Sequence, residues 1–154
     1  MKLTNRSLTE GDKRAICAWH YDGAYSIYNL PPWEEMKRTK SGFFHPKKEK
    51  NFHAFLDGDI LVGFVNISEE VSAVFLGIGI NPEFCGKHYG RQILEEAYRI
   101  SKSLYPEKPL CLEVRTWNVR AVTCYEKAGF RIDGEPFSRT TLIGEGTFYR
   151  MVRK

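Results

Sequence analysis

Between residues 52 and 104 the apolar residues change their period once, and that change restricts the fold more than any other feature of the chain. Phe52 to Leu56 and Ile60 to Ile67 are strand-like runs separated by Asp57-Gly58-Asp59. An Asp-Gly step between such runs signals a hairpin, because the tight turn needs residues that accept positive φ. A second turn at Glu69-Glu70 leads into Val71 to Ile80, so a three-strand meander is expected. Pro82 closes it, since proline cannot donate to a sheet ladder. From there the spacing is helical: Ile93, Leu94, Ala97, Ile100 and Leu104 recur on one face, with Arg91, Gln92, Glu95, Glu96, Arg99 and Lys102 opposite. This amphipathic helix ends before Pro106.

The flanking segments extend the pattern. Leu110 to Val114 reads as a buried strand, Val119 to Ala128 as a short helix stopped by Gly129, and Phe130 to Ile132 as the start of another strand. Phe148 to Val152 is strand-like as well. Near the start, a short strand is expected from Leu3, and Thr9 with Asp12 three residues on predicts the cap of a helix through Ile16 to about Tyr21. Strands, helix, strand, helix, strands is the order of an α/β or α+β domain with a mixed sheet. At 154 residues, 42% of them hydrophobic, without internal repeat or low-complexity stretch, one domain over 1–154 is expected.

Composition excludes more than it selects. Twenty-three cations against 19 anions leave a formal charge of +4, which suits an anionic partner and equally suits none. Cys17, Cys85, Cys111 and Cys124 lie far apart with no C-x-x-C pair, so thiols in a reducing compartment are expected and a zinc site is not. No stretch approaches the ~18–20 apolar residues that cross a bilayer, and residues 1–14 have no signal-peptide core. A cytoplasmic protein without membrane partners is the expectation.

The chemistry concentrates where the period changes. Gly77 and Gly79 sit inside an apolar strand, where each weakens it, so a bulge or a close approach by another backbone or a ligand is expected. Cys85-Gly86-Lys87-His88-Tyr89-Gly90 follows, and then the helix. A strand, a glycine-bearing loop and a helix N-terminus make an anion site, because the first-turn N–H groups are unpaired and the helix dipole favours negative charge. Two glycines alone suit a plain connection equally well. Together with Ile78-Gly79-Ile80-Asn81-Pro82 and the block Asn118-Val119-Arg120-Ala121-Val122-Thr123-Cys124-Tyr125-Glu126-Lys127-Ala128-Gly129-Phe130, however, the order of motifs from Phe52 to Ile132 resembles the GNAT superfamily of acyl-CoA-dependent N-acyltransferases.

That resemblance implies a single domain whose mixed, mostly antiparallel sheet carries helices on both faces and splays between its fourth and fifth strands, here Val71 to Ile80 and Leu110 to Val114. It implies acetyl-coenzyme A as co-substrate, no metal, and direct attack by a primary amine in a ternary complex. The family's pyrophosphate pattern falls on Cys85, His88 and Gly90, within a loop that also holds Gly86, Lys87, Tyr89 and Arg91. Cys85 replaces a polar or cationic residue and His88 replaces a glycine, which backbone-mediated contacts tolerate provided His88 keeps φ negative. Ile78, Gly79 and Ile80 would present backbone groups to the thioester, Asn118 would bind the pantetheine arm, and Tyr125 would protonate the leaving thiolate. An unperturbed phenol, near pKa 10, is a donor at neutral pH.

Other residues carry weaker signals. His20, His45, His53 and His88 lack metal-ligand spacing, no G-x-S-x-G occurs, and Cys85 as a nucleophile is disfavoured because its family counterpart meets phosphate. The aromatic-rich stretch from Trp19 to Phe44 reads as helix, loop and second helix. Its rings suit a core, and Asp22, Glu34 and Glu35 suit either solvent or a cationic amine. Glu69 and Glu70 are candidate bases as well as turn residues. A coenzyme-binding protein without catalysis is an alternative, because of His88 and Cys85. A nucleic-acid module built on Lys47-Lys48-Glu49-Lys50 is disfavoured by its interleaved acids. A homodimer is compatible with the sequence, and the amine is not encoded in any motif.

Overall fold

The first helix begins where its polar residues can satisfy its own orphan backbone groups. In the computed structural model, which describes residues 2–141 and 144–154, the Asp12 N–H donates to Thr9 Oγ1 at 3.1 Å and the Thr9 N–H donates to the Asp12 carboxylate at 2.8 Å. This capping box opens α1, Glu10–Ala18. The helix stops short of the expected Tyr21 because Trp19 turns to extended backbone, with ψ 137°.

The chain gathers into two compact units, the first formed by Met1–Asn66 and Ile78–Tyr89. In it β1 (Thr4–Ser7), β2 (Phe52–Asp57) and β3 (Ile60–Glu69) pair antiparallel, with Thr4 opposite Leu56 and Phe52 opposite Asn66. The β2–β3 turn is the expected one: Gly58 has φ 61°, the left-handed conformation that an Asp-Gly hairpin requires. Between α1 and β2 the aromatic-rich segment forms a 3-10 turn at Gly23–Tyr28, then α2 at Trp33–Thr39 and a further 3-10 turn at Gly42–Phe44. It supplies much of this unit's core: Ile16, Met36, Phe43 and Phe52 are buried together, with Trp19, Phe44 and Phe64 packed against them. Phe43 meets Phe52 and Phe64 edge-on, with ring centroids 5.7 and 6.3 Å away, the geometry that aromatic quadrupoles favour.

The second unit comprises Ile67–Gly77 and Gly90–Lys154. The Glu70 N–H donates to the Ala73 carbonyl at 2.8 Å, so this turn is longer than expected and β4 is Val74–Ile80, starting three residues late. Val71 is left 96% exposed outside the strand. β4 runs parallel to β5 (Leu110–Arg115), in register at Val74–Leu110 and Phe75–Cys111. These two pairs are short against the seven- and six-residue strands that make them. β5 pairs antiparallel along its whole length with the final strand, from Leu110–Arg153 to Arg115–Phe148. That final strand, Gly144–Arg153, is β8, after β6 (Arg131–Ile132) and β7 (Phe137–Thr141), which both pair with it. β7 has no counterpart in the sequence expectation, since Phe137-Ser138-Arg139-Thr140-Thr141 buries no apolar face.

Strand order is β1-β2-β3-β4-β5-β8-β6, with β7 on β8, giving a mixed α/β fold whose sheet is mostly antiparallel and has a parallel β4–β5 pair. The helices fall where the period indicates: α3 is Tyr89–Leu104 and α4 is Val119–Lys127. Ile93, Leu94 and Ala97 on α3 are fully buried, and the two larger side chains contribute about 1.5–3 kcal/mol each.

Candidate functional site

The end of β4, in the first unit, is shaped by Gly79. A Cβ there would lie 2.4 Å from Phe64 Cε1, so only glycine admits the Phe64 ring across the strand. The close approach expected at this glycine is therefore made by a side chain, and neither a second backbone nor a ligand is needed to explain it. The next peptide unit is held at both ends. The Ile80 carbonyl accepts a hydrogen bond from the Tyr21 hydroxyl at 2.6 Å, and the Asn81 N–H donates to the Val62 carbonyl at 2.9 Å. Asn81 also uses its side chain, donating to the Leu61 carbonyl at 3.0 Å and accepting from the Glu83 N–H at 3.1 Å.

Cys85 follows the 3-10 turn Pro82–Phe84, and its thiol lies 3.8 Å from the Asn81 carbonyl oxygen and 4.0 Å from that of Ile80. Gly86 has φ 78° and His88 has φ 68°. The condition set for His88, a negative φ, is not met: a bulky residue occupies left-handed backbone at the place where the family pattern has glycine. Residues 85–88 form a turn before Tyr89 starts α3, and two of its four residues use that conformation. Gly86, Lys87 and His88 are exposed, whereas Tyr89 is buried and donates to Asp57 Oδ2 at 2.7 Å. The hydrogen bond to that carboxylate, then burial, pushes the Tyr89 phenol above its ordinary range. Phe84 stands edge-on to Tyr89 with centroids 5.6 Å apart, and the Lys87 ammonium lies 5.7 Å from the Phe84 ring. The loop is thus anchored by an aromatic pair and one carboxylate, and by the Lys87 N–H, which donates to the Phe84 carbonyl at 3.3 Å.

In the second unit, a Cβ on Gly90 would sit 3.7 Å from Cys124 Sγ, an ordinary contact. Arg91 is exposed. Burial raises the Cys124 thiol, with Lys127 and then Arg91 pulling it back. Asn118 is 7% exposed and caps α4, its Oδ1 accepting from the Ala121 N–H at 3.2 Å. Tyr125 is half-buried on α4, edge-on to Phe130 with centroids 6.2 Å apart. Glu69 pairs with the Lys108 ammonium at 2.8 Å, and the same ammonium donates to the Glu70 carbonyl at 2.7 Å, so both acids belong to a cross-linked turn.

The structure thus gathers Ile80, Asn81 and Cys85 around Tyr21, and ties Tyr89 to Asp57. Tyr21 carried no individual role in the sequence, and Asp57 only that of a turn residue. Their partners lie 59 and 32 positions away, beyond any local pattern. Among the described residues no group of three or more His, Cys, Asp or Glu side chains is placed to hold a metal ion, and no helix is long and apolar enough to cross a membrane.

Comparison with known proteins agrees with this layout. The family model described as "Acetyltransferase (GNAT) family" matches residues 14–130. No curated protein sequence matches. Among solved structures, a chimeric spermidine N-acetyltransferase SpeG from Vibrio cholerae and hSSAT superposes with a TM-score of 0.79 at 24% identity, covering 99% of this chain and 95% of that one. Spermidine N-acetyltransferase from Vibrio cholerae in complex with CoA and spermine gives 0.70 at 22% identity, with coverages of 97% and 94%. The dodecameric form of that enzyme in an intermediate state gives 0.73 at 23%, with coverages of 97% and 92%. At such identities the shared property is the fold.

Proposed function

Because the chain belongs to the GNAT family of acetyltransferases, we propose that it binds acetyl-coenzyme A and passes the acetyl group directly to a primary amine. The observation that carries this reading is the loop entering α3, where Gly86 and His88 both hold the left-handed conformation. The loop keeps this conformation even where glycine has been lost, and it leads directly into a 16-residue helix whose first-turn N–H groups have no intrahelical partner. That arrangement suits a pyrophosphate, for which Lys87 and Arg91 supply charge. The cysteines form no disulfide among the described residues, as suits a reducing compartment such as the cytoplasm.

The remaining roles follow the family pattern residue by residue. The backbone along Ile78, Gly79 and Ile80 receives the acyl end, with the Ile80 N–H donating to the thioester carbonyl and stabilising the oxyanion formed when the amine attacks. Asn118 binds the pantetheine arm. Collapse of the tetrahedral intermediate breaks the carbon–sulfur bond and expels a thiolate whose conjugate acid has a pKa of about 8.5. The Tyr125 phenol donates a proton or a hydrogen bond to it. The fold shared with an enzyme seen with CoA and spermine makes polyamines the first acceptors to try, followed by peptide α-amines, lysine and amino sugars. The dodecameric neighbour makes self-association, in a dimer or more, the partner to look for.

A thiol-detecting assay over that amine panel tests the reading. Amine-dependent release of coenzyme A is expected, and Tyr125→Phe should lower kcat by roughly 10–10⁴ with coenzyme binding nearly unchanged. Silence across the panel, with coenzyme A still bound, would favour the alternative of a non-catalytic binder, which the His88 and Cys85 departures permit.

A further inference from the structure

Tyr21 follows α1 by three residues and is half-buried. Both ends of one side-chain amide hold its backbone. The Tyr21 N–H donates to Asn29 Oδ1 at 2.7 Å, and Asn29 Nδ2 donates to the Tyr21 carbonyl at 3.3 Å. So fixed, the phenol reaches 59 residues along the chain and donates to the Ile80 carbonyl at 2.6 Å. The other end of the same peptide, the Asn81 N–H, is bound to the Val62 carbonyl on β3. The last peptide of β4 is therefore clamped on its carbonyl by Tyr21 and on its nitrogen by β3.

In extended backbone a residue's N–H and C=O point to the same side, and successive residues alternate. With Asn81 turned to β3, Ile80 turns both of its polar groups away from β3, towards the Tyr21 hydroxyl. That is the strand edge to which the reading above gives the thioester carbonyl. We propose that Tyr21 is a positioning residue for acyl transfer, holding the Ile80–Asn81 peptide so that the Ile80 N–H is aimed at the developing oxyanion; this rests on the acetyltransferase reading. Burial, with the Cys85 thiol nearby, lifts the Tyr21 phenol well above its ordinary value, so it remains a hydrogen-bond donor throughout the neutral range. A donor in such surroundings is strong, and a carbonyl that loses it must turn to find another partner. A misalignment of about 1 Å at a reacting group can cost 10²-fold in rate.

The test is Tyr21→Phe, which keeps the ring, alongside Asn29→Ala, which keeps the hydroxyl but releases the backbone that aims it. For Tyr21→Phe, kcat for the best amine should fall about 10–100-fold while affinity for coenzyme A, which has no acyl carbonyl, stays within about twofold. Asn29→Ala should give a smaller fall in the same direction. The Ile80 and Asn81 amide resonances should move while those of Phe52 to Asp57 stay. Wild-type kcat in either folded variant overturns the proposal and leaves the acetyltransferase reading intact. An equal loss of kcat and of coenzyme affinity also overturns it, because it marks a merely structural hydroxyl. Wild-type protein that acetylates no amine removes the acetyltransferase reading, and this proposal with it.

Discussion

His88 is one of two non-glycine residues, with Lys40, that hold a positive φ among the described residues. Left-handed backbone costs a residue with a Cβ about 1–2 kcal/mol, although histidine tolerates it better than most. At φ 68° the imidazole side chain stands where glycine would be unstrained. Replacing it with glycine relieves that strain but loosens the unfolded chain by about 0.5–1 kcal/mol. His88→Gly should therefore be more stable than wild type by up to about 1 kcal/mol in chemical denaturation and should bind coenzyme A at least as tightly, while His88→Ala, which keeps a Cβ, should gain nothing. Destabilisation by the glycine variant would show that the imidazole makes a contact worth more than the strain. The departure from the family pattern was legible in the sequence, but the backbone angle was not, because φ at His88 answers to the path the loop must take from Asn81 to Tyr89.

At the scale of elements, α1 shows how a local code is read and then reinforced from outside. Thr9 and Asp12 form the capping box that their spacing predicts, but Asp12 is also joined by the Arg6 guanidinium from β1. Burial by itself pushes the Asp12 carboxyl up, yet hydrogen bonds from Arg6 and from the Thr9 N–H and hydroxyl outweigh it and hold the group below its ordinary value. The folded pKa lies below the unfolded one, so the unfolded chain binds the proton first on acidification. The stability Asp12 contributes is then complete above about pH 4 and is lost as pH falls through the folded value. Asp12→Asn should be less stable than wild type by about 1 kcal/mol at pH 6, with the gap closing towards pH 3. A gap constant from pH 6 to 3 in thermal melts would show that the charge is immaterial. β7 teaches the reverse lesson. Its exposed residues carry no apolar alternation, and it exists by pairing with β8 and through Arg139, which grips the Glu113 carboxylate of β5, with one nitrogen at 3.0 Å.

For the whole molecule, a coenzyme that binds only the folded chain must stabilise it by mass action. At a hundredfold excess over Kd the gain is about 2.7 kcal/mol, which for a chain of this size raises Tm by roughly 5–10 °C. A melt unchanged at saturating coenzyme A would remove the cofactor assignment at a stroke. The order of elements, the hairpin at Gly58, the amphipathic face of α3 and the motif order from Phe52 to Ile132 were all set by the sequence. Each depends on the spacing of side chains along a few turns or strand positions, and such spacing is written locally. What only the tertiary structure decided are the Tyr21 clamp on Ile80, the Asp57 anchor of Tyr89 and the Phe64 ring that requires Gly79. In the first of these the acceptor is a main-chain carbonyl, a group that every residue carries, so no side-chain pattern marks it. In the others the partner lies across the strands, and only the folded chain selects which aromatic ring or carboxylate arrives there.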